Sequence, residues 1–122
     1  MYYPAMQLLE GPYPPPGILV AGHFREGFGY RVRRPGGSGN WLLTYTLEGW
    51  GLYRQPGVNL YAGPGDVVLL GPGAAHDYSV PEGGYWEFLW VHFQPRVGWF
   101  EWWAPRPVGE GLYLARVATG RN

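Results

Sequence analysis

Residues Tyr61 to Val80, YAGPGDVVLLGPGAAHDYSV, constrain the fold of this chain more than any other stretch. They open on Gly63-Pro64-Gly65-Asp66, where proline presets φ and glycine admits positive φ, so the backbone turns. Val67-Val68-Leu69-Leu70 follows, too short for an ordinary helix, β-branched at its start and closed by Gly71-Pro72-Gly73. The reading is a strand held between two turns. Beyond it, His76, Tyr78 and Val80 alternate with Ala75, Asp77 and Ser79, so one face of the next strand carries an imidazole and a phenol. On a concave surface that pair is placed to hydrogen-bond a ligand.

The same punctuation recurs along the chain: 21 Gly and 13 Pro in 122 residues argue against long helices and for short strands joined by turns. A chain of this length forms one domain and hides roughly two thirds of its unfolded surface. Ile18 to Gly22 reads as a first strand and Gly29 to Arg34 as a second, with Gly27-Phe28-Gly29 as the bend between them. Trp41 to Leu47 and Leu52-Tyr53-Arg54 read as a hairpin turned by Gly49-Trp50-Gly51. Tyr85 to Phe93 is largely apolar on both parities, which predicts a strand buried on both faces. Val97 to Trp103 has room for one or two helical turns, with Trp99 on the same face as Trp102 and Trp103, before Pro105 and Pro107 stop it, and Leu112 to Val117 reads as a last strand. Residues 1–17 are irregular and proline-rich yet carry Tyr2, Tyr3, Met6, Leu8, Leu9 and Tyr13, which a purely solvated tail would not need, and read as an end that packs loosely.

Several function classes are disfavoured. Formal net charge is zero and all nine basic residues are arginines scattered from Arg25 to Arg121, with no basic patch visible in the sequence. There is no cysteine, so disulfides and thiolate metal sites are excluded. No run approaches the roughly twenty apolar residues of a membrane helix and no signal peptide opens the chain, so a cytoplasmic location without membrane attachment is expected. The histidines His23, His76 and His92 lack metal-ligand spacing. Ser38 and Ser79 have no nucleophile context, and Glu82, Glu87 and Glu101 show no pairing, so no catalytic residue and no enzyme are expected.

The order Gly65-Asp66, apolar run, Pro72-Gly73, His76 resembles the second half-motif of the cupin family of β-barrels. A wider resemblance is to the N-terminal effector-binding domain of AraC-like transcription regulators. It is carried by Leu19-Val20-Ala21-Gly22, Arg34-Pro35, Leu43 to Gly51, the stretch above, and Trp90 to Arg96. This resemblance implies an all-β, cupin-like double-stranded β-barrel (jelly roll) over residues 18–122, preceded by a ligand-responsive N-terminal arm over residues 1–17 and carrying the short C-terminal helix. Where metal-binding cupins place a His-x-His pair, this chain has Thr44-Tyr45-Thr46, and threonine hydroxyls are poor transition-metal ligands, so no metal and no cofactor are expected.

The resemblance also implies site residues. Arg34 matches an arginine that binds sugar hydroxyls, Trp90 a tryptophan that stacks on the sugar ring, and Tyr78 a phenol that hydrogen-bonds it; the residues themselves add His76. Phe24 and Phe88 stand where the family keeps a ligand-binding threonine and histidine. A buried sugar hydroxyl left without a partner costs about 1–3 kcal/mol, so a small amphipathic effector fits these rings at least as well as a sugar. The implied protein is a homodimer whose effector controls the arm, with DNA bound only through a domain not present in this chain. A stand-alone cupin enzyme and a carbohydrate-binding protein are the alternatives.

Overall fold

Six of the nine connections between the described strands carry the chain from one β-sheet to the other, each through a glycine- or proline-containing turn. The structure, a computed structural model, describes residues 17–96, 98–99 and 104–116. The described residues form ten strands: β1 (Gly17–Gly27), β2 (Arg31–Arg34), β3 (Trp41–Gly49), β4 (Gly51–Gln55), β5 (Val58–Ala62), β6 (Asp66–Leu70), β7 (His76–Ser79), β8 (Tyr85–Gln94), β9 (Arg106–Gly109) and β10 (Leu112–Arg116). They pair antiparallel in a six-stranded sheet of order β1-β8-β3-β6-β10-β9 and a four-stranded sheet of order β2-β7-β4-β5. Through β8 this is the strand order of a jelly roll, as expected; the β9–β10 hairpin then extends the larger sheet beyond β6.

Two local expectations are corrected. Trp41 to Arg54 is not a hairpin, because β3 pairs with β6 and β8 in one sheet whereas β4 pairs with β5 and β7 in the other. The Gly49-Trp50-Gly51 junction is a corner between sheets. Gly49 has φ 76°, a Cβ there would meet the Tyr85 carbonyl oxygen at 2.0 Å, and Trp50 N donates to that same oxygen at 3.0 Å. The hairpin β4 does make is with β5, around Pro56-Gly57, where Gln55 pairs with Val58.

The second correction concerns β8, which alternates. Trp86, Phe88, Trp90 and His92 are buried, whereas Tyr85 and Leu89 on the other face are 41% and 39% exposed. Burial on both faces belongs to β6, where all five residues are buried. Val68 and Leu70 point between the sheets, and Val67 and Leu69 join Phe93, Trp41, Tyr113 and Trp99 in a second cluster outside the larger sheet. Each such aliphatic side chain removed from water contributes about 1.5–3 kcal/mol.

The arm expected over residues 1–17 lies outside the described residues except for Gly17, and the helical turns expected over Val97 to Trp103 do so except for Gly98 and Trp99. Trp99 packs on Phe93 with ring centroids 5.9 Å apart, outside the barrel.

Candidate functional site

Antiparallel pairing of β2 with β7 sets Arg34 opposite His76 and Val32 opposite Tyr78. His76 and Tyr78 occupy the buried parity of β7 and turn into the space between the sheets. Arg34 Nη1 lies 2.9 Å from His76 Nδ1. A guanidinium has only donors, so Nδ1 accepts and the proton of a neutral imidazole must sit on Nε2. That Nε2 is buried and has no hydrogen-bond partner. Burial, reinforced by the Arg34 charge, lowers the His76 pKa to about 4, which keeps the ring neutral at pH 7.

His92, on β8, is the second buried imidazole of this region. Its Nδ1 lies 2.7 Å from Asn40 Oδ1, which also accepts from Ser38 Oγ at 3.3 Å. With Oδ1 as acceptor, the His92 proton is on Nδ1, the tautomer opposite to that of His76. Burial, followed by the charges of Arg34 and His76, lowers its pKa to about 4.

An aromatic wall adjoins these polar groups. The β1–β8 register sets Gly22 beside Trp90 and Phe24 beside Phe88. The Trp90 indole lies so close to β1 that a Cβ on Gly22 would be 2.4 Å from it, so glycine is what admits the ring. Phe24 packs on Trp90 and Phe88 at centroid distances of 5.5 and 5.9 Å, and Trp90 meets His92 edge-on at 6.0 Å. Tyr78 lies 6.2 Å from the His76 ring, 5.6 Å from Tyr53 and 6.0 Å from Trp86, and Trp86 stacks on Phe88 at 3.8 Å.

Thr44 and Thr46 hold rings. Thr44 Oγ1 hydrogen-bonds the Tyr53 hydroxyl, and Trp86 Nε1 donates to Thr46 Oγ1 at 2.9 Å. Among the described residues no group of three or more His, Asp and Glu is placed to hold a metal ion.

Arg34, His76, Tyr78, Trp90, Phe88 and Phe24 thus belong to one interior. Arg34 and His76 form its polar end; Phe24, Phe88 and Trp90 form its wall; Tyr78 bridges His76 to the Tyr53–Trp86 rings. A cleft of about 240 Å³ bounded by Pro35, Pro56 and Ala75 reaches His76 from outside. A larger one of about 610 Å³ shares those three residues and continues to Glu110. Gln55 spans this end: its Nε2 donates to the Glu110 carbonyl at 2.8 Å and its Oε1 accepts from Glu110 N at 2.8 Å, fastening the β4–β5 hairpin to the β9–β10 hairpin. Sequence reasoning missed His92, Asn40, Gly22, Thr44 and Thr46 as parts of this interior. His92 shares the parity of Trp90, which could have found it; Asn40 carries no such signal.

The family model described as AraC-like ligand binding domain matches residues 17–107. The arabinose operon regulatory protein of Escherichia coli (strain K12) is 38% identical over 72 residues, covering 58% of this chain and 25% of that protein. Its counterpart from Salmonella typhimurium (strain LT2) is 36% identical over 72 residues, covering 58% and 26%. The chain matches about a quarter of the length of these curated relatives.

Proposed function

The chain belongs to the AraC-like ligand binding domain family, and from that premise we propose that it is the effector-sensing domain of a cytoplasmic transcription regulator. Its effector is a small organic molecule held in the barrel interior, with a polar end on Arg34 and His76 and a body against Phe24, Phe88 and Trp90. The observation that carries this reading is the His76 Nε2–H, a buried donor without an acceptor. Buried polar groups are nearly always satisfied, and one buried beside an interior lined by rings calls for an acceptor that arrives with a guest.

In this reading the arm over residues 1–17 docks differently on occupied and empty barrels. An effector shifts that equilibrium only by its difference in affinity for the two arrangements, and passes the shift to a homodimer and to a DNA-binding region elsewhere in the polypeptide. The relatives regulate an arabinose operon by name, but Phe24 and Phe88 offer no hydrogen bond to a sugar hydroxyl, which favours a less hydroxylated effector. Binding rather than catalysis is favoured because Thr44 and Thr46 are occupied in holding Tyr53 and Trp86.

The test is a tryptophan-fluorescence titration of the chain with a small-molecule collection. A ligand that loses at least tenfold in affinity in both Trp90→Ala and His76→Phe supports the proposal. Affinity indifferent to both changes places the site elsewhere.

A further inference from the structure

If the interior is the effector site, as proposed above, the chemistry of its polar atoms narrows the effector further. Arg34 carries donors and no acceptor. It donates to His76 Nδ1 at 2.9 Å, so the ring passes the polarisation of a cation through to its Nε2–H, which is buried and without an acceptor. The acceptors nearby already hold hydrogens. Thr44 is bonded to Tyr53, Thr46 accepts from Trp86, Asn40 Oδ1 faces His92 Nδ1 and Ser38 Oγ, and Asp66 Oδ2 accepts from Gly63 N at 2.9 Å. The Tyr78 hydroxyl and the His92 Nε2 lone pair are able to accept, and Gln94 Oε1, on the same parity of β8 as Trp90 and His92, is a buried acceptor without a hydrogen-bond partner.

A sugar brings several hydroxyl hydrogens, each of which needs an acceptor once water is excluded, and these few groups cannot serve them all. A carboxylate brings only lone pairs. It answers a guanidinium and an imidazole N–H together, and in a site shielded from water that attraction is stronger than at the surface. The remainder of the wall, Phe24, Phe88 and Trp90, has no use for further polar groups on the guest.

We propose that the effector of this domain is an organic monocarboxylate, an apolar body ending in one carboxylate group that accepts from His76 Nε2–H and from the Arg34 guanidinium. The carboxylate sits at the β2–β7 end and the body lies along Phe24 and Trp90. His76 acts as a specificity-determining residue: its N–H favours a charged acceptor over the neutral oxygen of a hydroxyl.

The experiment compares matched acids and alcohols on the intact chain at pH 7.5: benzoate with benzyl alcohol, phenylacetate with 2-phenylethanol, hexanoate with 1-hexanol, and L-arabinose beside them. Calorimetry and tryptophan fluorescence give the affinities. At least one acid is expected to bind tenfold or more tightly than its alcohol and than arabinose. That preference is expected to fall below threefold in Arg34→Gln and in His76→Phe, and to persist in His76→Gln, whose amide keeps a donor near the Nε2 position. Melting curves confirm that each variant is folded, and the Arg34→Gln result decides the matter should His76→Phe not fold. Alcohols or arabinose that bind as tightly as the acids, with affinity weakened by Trp90→Ala, overturn the carboxylate and leave the interior site standing. An acid preference untouched by both Arg34→Gln and His76→Phe overturns it as well. Silence from all seven compounds overturns both the carboxylate and the interior site.

Discussion

Arg34 and His76 face each other across the β2–β7 register, with guanidinium Nη1 2.9 Å from imidazole Nδ1, and the contact holds only while the ring is neutral. A protonated His76 would present Nδ1–H to a group that can only donate. Stability should therefore depend on pH. His76 and His92 titrate near pH 6.5 in the unfolded chain and at about 4 in the fold, so the unfolded state binds more protons between those values. Their contribution is complete above pH 6.5 and is lost as pH falls toward 4. We expect the urea midpoint to drop steadily across that window, by a stability change on the order of 2 kcal/mol per histidine. His76→Gln should flatten the profile, and an unchanged slope in that variant would contradict the assignment.

Gly22 lets Trp90 lie against β1. In Gly22→Ala the new methyl would start 2.4 Å from the indole, so ring or strand must move. Overpacking of this kind costs about 1–3 kcal/mol. Chemical denaturation should report that loss, and any ligand that uses Trp90 should bind more weakly even in the folded fraction.

Trp86 donates its buried N–H to Thr46 at 2.9 Å. Thr46→Val keeps the shape of the side chain and removes the acceptor, so the indole N–H is left unsatisfied at a cost of about 1–3 kcal/mol. Equilibrium unfolding followed by circular dichroism measures it; a neutral result would mean that Trp86 finds another acceptor.

Gln55 joins two hairpins through a pair of hydrogen bonds to the Glu110 backbone, each 2.8 Å long. Its amide does the work of a strand pair between the two sheets. Gln55→Ala should accelerate amide exchange at Glu110 and through β9 and β10, while β3 and β6 keep their protection. Global stability should fall by only about 1 kcal/mol, because the amide is partly exposed to water.

How far the sequence announces this structure depends on how local each feature is. The turn at Gly63 to Asp66, the strand after it and the inward parity of His76 and Tyr78 are local, and they are where the residues say. β5 and β9 escape a sequence reading for different reasons. Val58 to Ala62 is short and runs into the next turn, while β9 contains Pro107, which is tolerated because β9 is the edge of its sheet. The corner at Gly49-Trp50-Gly51 looks like a hairpin because glycine serves both, and only the distant partner Tyr85 decides between them. Likewise β8 carries apolar residues on both parities, yet Tyr85 and Leu89 stay exposed, since a strand's second face is buried only where something covers it. In the interior, the aromatic wall is legible from strand parity and from resemblance. The link between His92 and Asn40, and the way Thr44 and Thr46 hold Tyr53 and Trp86, join residues far apart in sequence or on different sheets, and no local pattern marks them.

The most direct measurement is a long-range proton–nitrogen correlation spectrum of the histidine rings, recorded at pH 7.5 while a bound acid from the matched panel is titrated in. The account expects His76 as the neutral Nε2–H tautomer in the free chain, with that proton moving downfield and exchanging more slowly with water as the carboxylate accepts from it. His76 found as the Nδ1–H tautomer, or an Nε2–H resonance that stays in place while the acid binds, would contradict it.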